Sequence, residues 1–153
     1  MEKMKVLQVA VIGGSEADAQ TLTLASEIGR VIASLGAIVV CGGLGGVMAA
    51  VARGAKLHNG LTVGILPSYA HSEKNDFIDI TIPTGLGHAR NVLVASSGDV
   101  VVALHGSHGT RAEISIALIL GRPVYGMRAW NDIPGVRPVA SLDQLKSILL
   151  PKI

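Results

Sequence analysis

The sequence predicts one doubly wound α/β domain, in which a parallel sheet is covered by helices on both faces. Short apolar runs alternate with segments of helical periodicity over nearly all of the 153 residues, a length that suits one domain. The apolar runs lack strict apolar–polar alternation, which indicates strands buried on both sides. Hydrophobic residues make up 49% of the chain and charged residues 16%. We therefore predict a single Rossmann-like, three-layer sandwich over residues 1–153.

The first half of the chain predicts three strands and two helices. The first strand ends at Gly13-Gly14-Ser15, and Ser15 or Asp18 opens a helix whose apolar residues recur at spacings of three and four until Gly36. The second strand ends at the glycine-rich turn Gly42–Gly46. The predicted strands are Val6–Ile12, Ala37–Cys41 and Leu61–Leu66, and the second helix is Val47–Leu57.

The second half repeats the pattern after a polar segment, Pro67 to Asp76, which we interpret as a surface loop. Gly121 ends the fourth helix and Pro123 prevents its continuation. The predicted strands are Phe77–Ile82, Val100–Leu104 and Val124–Met127, and the predicted helices are Leu86–Ser97, Arg111–Leu120 and Ser141–Leu150.

Composition argues against several classes of function. The formal charge is only +2, its cations are scattered, and the chain has one Trp, two Tyr and one Phe, so neither the basic stripe nor the stacking platform of a nucleic-acid binder is expected. No apolar stretch approaches the roughly 20 residues of a membrane span, and nothing resembles a signal peptide. Cys41 is the one cysteine, which we interpret as a buried thiol. We expect a cytoplasmic protein.

Glycine-rich turns indicate where a ligand would bind. In doubly wound sheets ligands lie beyond the carboxyl ends of the strands, near the topological switch point. Three turns lie there, Gly13–Ser15, Gly42–Gly46 and His105–Thr110, and a fourth segment, Gly85–Asn91, follows a weaker strand. Each turn precedes a helix, whose free N–H groups suit an anion. Gly42–Gly46 matches neither a Walker A loop nor GxGxxG, so a plain tight turn remains an alternative.

Several single residues allow two interpretations. Thr110 and Glu113 fit a capping box, which would make Glu113 a structural residue. Arg90 stands where a ligand-facing helix begins, but it would also suit a surface salt bridge. The loop histidines His88, His105 and His108 have no accompanying cysteine or carboxylate cluster, so we predict no metal site.

Three motifs together resemble a known family. They are Gly42-Gly43-Leu44-Gly45-Gly46-Val47-Met48, Gly87-His88-Ala89-Arg90-Asn91 and Gly106-Ser107-His108-Gly109-Thr110-Arg111-Ala112-Glu113. In order and spacing they resemble the LOG-like proteins, once widely labelled "possible lysine decarboxylase". The resemblance covers nearly the whole chain. It is closest to the short branch that includes molybdenum cofactor carrier proteins.

The resemblance implies a Rossmann-like fold, a homodimer and a phosphorylated small-molecule ligand. Characterised members hydrolyse cytokinin riboside 5′-monophosphates, whereas the carrier branch binds a phosphorylated pterin. It implies no required cofactor, and the bound molecule would be a nucleoside monophosphate or molybdopterin. Pyridoxal-dependent decarboxylation is not expected, because no lysine lies in the motifs. By position, the functional pair falls on Arg90 and Glu113. The predicted binding residues are Gly13, Gly14, Ser15, Gly42, Gly43, Gly45, Gly46, Met48, Arg90, Asn91, Gly106, Ser107, His108, Gly109 and Thr110.

Two departures from the enzymes' pattern favour binding over hydrolysis. Where the enzymes usually have Pro-Gly-Gly, this chain has His105-Gly106-Ser107, so a side chain replaces backbone beside the expected phosphate, and the Ser107 hydroxyl could compensate as a donor. The arginine motif, Glu-Arg-Lys in the enzymes, contains Ala89-Arg90-Asn91 here. We predict a carrier-like binding protein, with a phosphoribohydrolase as the alternative.

Overall fold

Seven parallel strands form the centre of the protein in a computed structural model that describes residues 5–153. The strands are β1 (Gln8–Ile12), β2 (Ile38–Cys41), β3 (Leu61–Leu66), β4 (Ile80–Pro83), β5 (Val100–Ala103), β6 (Val124–Gly126) and β7 (Val136–Pro138). Their order in the sheet is β4-β3-β2-β1-β5-β6-β7. Every neighbouring pair is parallel. The predicted doubly wound α/β fold is therefore confirmed.

Five helices cover the two faces of this sheet. They are α1 (Ala19–Ser34), α2 (Val47–Lys56), α3 (Asn91–Ser97), α4 (His108–Ile119) and α5 (Leu142–Leu149). Alternate residues of β1 enter two separate cores: Val9 and Val11 pack with α1, α2 and α5, whereas Ala10 and Ile12 pack with α3 and α4. Alternation along a strand places these residues on opposite faces, so the molecule has three layers. No helix in residues 5–153 is long and apolar enough to cross a membrane.

The order of the strands reverses between β1 and β5, and this reversal creates the switch point. Ile12 and Ala103 are paired in the register of the two strands, and the Leu104 N–H donates to the Ile12 carbonyl at 2.9 Å. The turns that follow β1 and β5 therefore leave the sheet side by side. Helix α1 is capped as predicted at both ends: Asp18 Oδ1 accepts from the Thr21 N–H at 2.8 Å, and Gly36 follows the last turn with φ of +72°.

The start of α4 differs from the prediction, and the capping box at Thr110 and Glu113 is wrong. The helix begins at His108, three residues before the predicted start, and Ser107 occupies the N-cap without a side-chain hydrogen bond to the helix. Thr110 is consequently the third helical residue. Its hydroxyl packs so closely over Gly106 that a Cβ there would collide with it. Glu113 lies a turn too far along the helix to reach the cap, which leaves its carboxylate for another role.

Three further boundaries depart from the sequence prediction. The segment predicted as one helix over Leu86–Ser97 begins with a 3-10 turn over Gly87–Arg90 before α3 starts. Residues 77–79 precede β4 because the Asp79 carboxylate accepts from the Thr62 N–H and from Lys56, which holds them in a turn. The edge strand β7 was not predicted, because three residues ending in a proline carry little strand signal.

Candidate functional site

A cavity of about 250 Å³ lies at the carboxyl ends of β1 and β2, between the starts of α2 and α4. We refer to it as the switch-point cavity. It brings together residues from all four predicted segments, which are separated by up to a hundred positions in the sequence. Its lining consists of Val11, Ile12, Gly13, Gly14, Ser15, Gly42, Leu44, Met48, His88, Arg90, Asn91, Ser107, Gly109, Thr110 and Glu113.

Eleven of the predicted site residues line this cavity, and five do not. Those outside it are Gly43, Gly45, Gly46, Gly106 and His108. Sequence reasoning missed Leu44, an apolar residue inside a glycine run, and the strand residues Val11 and Ile12. A side chain that follows a run of glycines can point back over a cavity, but nothing in the sequence alone distinguishes it from a surface residue.

Two of the glycines outside the cavity instead allow turns to pack against each other. Gly46 has φ of +62°, and a Cβ there would collide with the Gly14 carbonyl. Gly43 has φ of +77° and lies against Gly64 of β3. The Gly14 N–H donates to the His105 carbonyl at 2.8 Å, and the Val47 N–H donates to the Gly14 carbonyl at 3.0 Å. These contacts lock the turns after β1, β2 and β5 into one unit.

The guanidinium of Arg90 forms one wall of the switch-point cavity. Arg90 is only 8% exposed; it donates to Asn91 Oδ1 and approaches the Gly42 carbonyl at 3.5 Å. Its Nε is buried and has no acceptor within the described part of the chain. The alternative of a surface salt bridge is therefore wrong. Burial lowers the pKa of Arg90, and the nearby Glu113 opposes that shift. A buried donor without an acceptor is costly unless a ligand supplies one.

Glu113 lines the same cavity. Glu113 is 7% exposed, and burial raises its pKa to about 7 while the charge of Arg90 opposes the rise. At neutral pH this side chain is therefore divided between its ionised and protonated forms. Perturbed carboxylates of this kind are concentrated at functional sites.

Backbone donors converge on the cavity from the start of α4. Gly109 and Thr110 lie in the first turn, whose N–H groups have no intrahelical acceptors, and no side chain caps them. The helix dipole adds a partial positive charge at the same end. The Ser107 hydroxyl and the buried Thr110 hydroxyl provide further donors. Arginine, helix start and hydroxyls together suit an anionic group.

Two larger hollows of the described residues lie away from the switch-point cavity. Hollows of about 600 and 480 Å³ border α1, and neither is lined by Arg90, Glu113 or the start of α4. In residues 5–153 no three His, Cys, Asp or Glu side chains are placed to hold a metal ion. Cys41 is buried as predicted, its thiol donates to the Met48 carbonyl at 3.8 Å, and burial raises its pKa to about 11. It is therefore an unreactive core thiol.

A doubly wound sheet whose glycine turns, buried arginine and buried glutamate converge at the switch point defines a Rossmann-like protein of the LOG-like class. The chain belongs to the SLOG cluster4 family, whose model matches residues 6–147.

The fold closely matches solved structures of this class. The molybdenum cofactor binding protein of Rippkaea orientalis superposes with a TM-score of 0.89 and 34% identity over 98% of each chain. The molybdenum cofactor carrier protein of Chlamydomonas reinhardtii gives 0.85 and 32% identity over 95% of this chain and 96% of its own. A cytokinin riboside 5'-monophosphate phosphoribohydrolase of Mycobacterium tuberculosis is 32% identical over 134 residues, 80% of this chain and 71% of the relative.

Proposed function

We propose that this protein binds a phosphorylated pterin-like or nucleotide-like small molecule and carries it without chemical turnover, in the manner of a molybdenum cofactor carrier. The observation that carries this proposal is the buried Arg90, whose Nε lacks a protein acceptor at the same cavity as an uncapped helix start. The likeness to two molybdenum cofactor proteins over almost the full length of each chain supports the choice of ligand class.

The ligand's phosphate would lie at the first turn of α4. Gly109 leaves room for an oxygen to approach the backbone, and the hydroxyls of Ser107 and Thr110 donate to the same group. The guanidinium of Arg90 would neutralise part of the remaining charge. The two negative charges of a phosphate would thus be balanced by the cation of Arg90 and by the dipole of α4.

The organic part of the ligand would extend along the turns after β1 and β2. Gly13, Gly14 and Gly42 present backbone rather than side chains to the cavity, which favours a flat ring with hydrogen-bonding edges. Leu44 and Met48 supply the apolar contacts. A metal borne by the ligand would be cargo, and the chain would hold the organic and phosphate parts. We place this function in the cytoplasm, in agreement with the sequence prediction.

Glu113 favours a second candidate, hydrolysis of a nucleoside 5′-monophosphate. A carboxylate with a pKa of about 7 can hold or release a proton at neutral pH, and it can also stabilise the positive charge that develops on a ribose as its glycosidic bond breaks. Arg90 would hold the phosphate or a ribose hydroxyl. The relative from Mycobacterium tuberculosis supports this alternative. No second titratable residue of the cavity is assigned to protonate the leaving base.

One experiment separates the two candidates. The purified protein is incubated with molybdopterin and, separately, with a panel of nucleoside 5′-monophosphates, while thermal unfolding and free base are measured in parallel. A carrier should be stabilised by about 2.7 kcal/mol at a ligand concentration of 100 Kd and should release no base. Base release that disappears in Glu113→Gln would establish the hydrolase instead. Absence of both stabilisation and base release would contradict both candidates.

A further inference from the structure

A second cavity, of about 370 Å³, lies beside the switch-point cavity on the other side of the first turn of α4. Ser107 lines both cavities. The second one is bounded by the loop that follows β6, and we name it the tryptophan cavity after Trp130. All charged or titratable side chains in its lining are basic: Arg111, Arg128, His105 and His108. Arg90 and Glu113, which line the first cavity, are not part of it.

Trp130 forms a fixed wall of this cavity. Its Nε1 donates to the Leu104 carbonyl at 2.7 Å, and the Arg111 guanidinium lies 5.7 Å from the centroid of its ring. The loop that carries it has two left-handed residues, since φ is +58° at Arg128 and +65° at Trp130. Such backbone costs on the order of 1–3 kcal/mol at a residue other than glycine and is concentrated at functional sites. The loop therefore holds Arg128 and Trp130 in place at an energetic cost.

Within residues 5–153, the two arginines of the tryptophan cavity have no carboxylate partners. The ion pairs formed within residues 5–153 are Lys5–Asp99, Arg30–Glu27 and Lys56–Asp79. The neighbouring carboxylate of Asp18 lies in an adjoining hollow and is engaged at the start of α1, where it accepts from the Thr21 N–H. Both guanidinium groups are exposed at one concave surface, where they add positive potential that attracts an anion.

We propose that the tryptophan cavity is a second subsite, which binds a phosphate group through Arg128 and Arg111. A guanidinium pairs with phosphate oxygens in bidentate geometry, and the Ser107 hydroxyl can donate from the side of the first cavity. The bound phosphate could come from either of two sources. It could be a separate phosphate-type anion, or it could be the second phosphate of a diphosphate-linked ligand whose first part occupies the switch-point cavity. Only the second source rests on the proposed function.

Trp130 is the only tryptophan of the chain, so its fluorescence reports on this cavity directly. Orthophosphate is titrated into the full-length protein at constant ionic strength, with chloride as the balancing anion. We expect a saturable change of Trp130 emission, and Arg128→Gln should weaken the apparent affinity roughly tenfold, as expected for a lost charge-assisted hydrogen bond. Arg111→Gln tests the other cation in the same way, although it also alters the starting emission.

Arg137→Gln is the matched control. Arg137 is likewise an exposed arginine above an aromatic ring, 5.9 Å from the centroid of Tyr125, but it does not line the tryptophan cavity. Its variant should bind orthophosphate as the wild type does. The proposal is overturned if the emission does not saturate, if Arg137→Gln weakens binding as much as Arg128→Gln does, or if Gly109→Val abolishes the orthophosphate response while Arg128→Gln leaves it unchanged.

A second titration, with a diphosphate-bridged dinucleotide such as nicotinamide adenine dinucleotide, distinguishes the two sources. A ligand that spans both cavities should bind more tightly than orthophosphate, and both Gly109→Val and Arg128→Gln should weaken it. If the subsite takes a separate anion, only Arg128→Gln should weaken binding. The dinucleotide should then bind no more tightly than orthophosphate does. Loss of all binding to the switch-point cavity would refute the proposed function while leaving the orthophosphate response of Trp130 intact.

Discussion

Arg90 and Glu113 lie at the same buried cavity without forming an ion pair. Each side chain is less than a tenth exposed, yet no guanidinium nitrogen of Arg90 comes within 4.0 Å of a carboxylate oxygen of Glu113. The charge of Arg90 lowers the pKa of Glu113, but desolvation outweighs it and raises that pKa to about 7. A cation and a titrating acid therefore line one cavity without being directly paired.

The stability of the protein should consequently depend on pH through Glu113. Its pKa rises from an ordinary 4.5 to about 7 on folding, so the folded state binds the proton more tightly than the unfolded state. The stabilisation is fully present below pH 4.5 and is lost as the pH rises through about 7, and it amounts to about 3 kcal/mol. Urea unfolding at several pH values should show this decline in the wild type. In Glu113→Gln the decline over pH 5–8 should be absent, and an equal slope in both proteins would contradict the assignment.

The same titration should regulate anion binding. Ionised Glu113 repels an anion near Arg90, whereas the protonated form does not. Sulfate keeps its charge over this pH range, so calorimetric titration should show its affinity falling roughly tenfold between pH 5.5 and pH 8 in the wild type. Glu113→Gln should lose less affinity than the wild type between the two pH values and should bind sulfate more tightly than the wild type at pH 8, because His88 is common to both proteins. A wild-type affinity that is constant with pH would show that the anion binds away from Glu113.

Much of the fold could be predicted because the relevant signals are local. Buried parallel strands appear as apolar runs, and Asp18 and Gly36 mark the ends of α1 with ordinary capping chemistry. The start of α4 escaped prediction because Thr110 and Glu113 fit a capping box in sequence. In the structure α4 begins at His108, and Thr110 packs on Gly106 instead of capping the helix.

The sequence predicted which turns form the site, but not which of their residues line the cavity. The turns after β1, β2 and β5 all contain glycine, whether the glycine lines a cavity, as Gly42 does, or lets two turns approach, as Gly46 does. The raised pKa of Glu113 depends on burial by residues distant in sequence. Nothing in the sequence indicated that Trp130 lines a cavity. Its position depends on a loop with left-handed residues, in which its indole Nε1 donates to the Leu104 carbonyl.

The apolar outer surface of α3 and α4 predicts a homodimer. Val92 and Leu93 on α3 and Ile119 and Leu120 at the end of α4 remain between 37% and 82% exposed. Paired helices with several large apolar residues in water are typical of an interface. Light scattering at micromolar concentration should give twice the mass of the chain. Ile119→Lys combined with Val92→Lys should give a folded monomer, whereas a monomeric wild type would refute the prediction.

Gly109 offers the sharpest test of where the ligand's phosphate lies. Gly109→Val should abolish binding of the phosphorylated ligand, because its side chain would occupy the space in front of the first turn of α4. The substitution should not disrupt the fold: a Cβ at Gly109 would meet only Asn91 Nδ2 at 3.6 Å, an ordinary van der Waals contact, and its φ is not left-handed. The loss should exceed a hundredfold in Kd, since both the backbone donors and the helix dipole become inaccessible.

Ala112→Val is the matched control for this test. Ala112 lies on the same helix and takes a branched side chain of the same kind, but it is exposed and does not line the switch-point cavity. Calorimetry with the phosphorylated ligand should therefore give the wild-type Kd for Ala112→Val and no measurable binding for Gly109→Val, with both proteins unfolding cooperatively. If Gly109→Val is folded and binds normally, the phosphate does not lie at the start of α4. Arg90 would then hold it alone from the opposite wall.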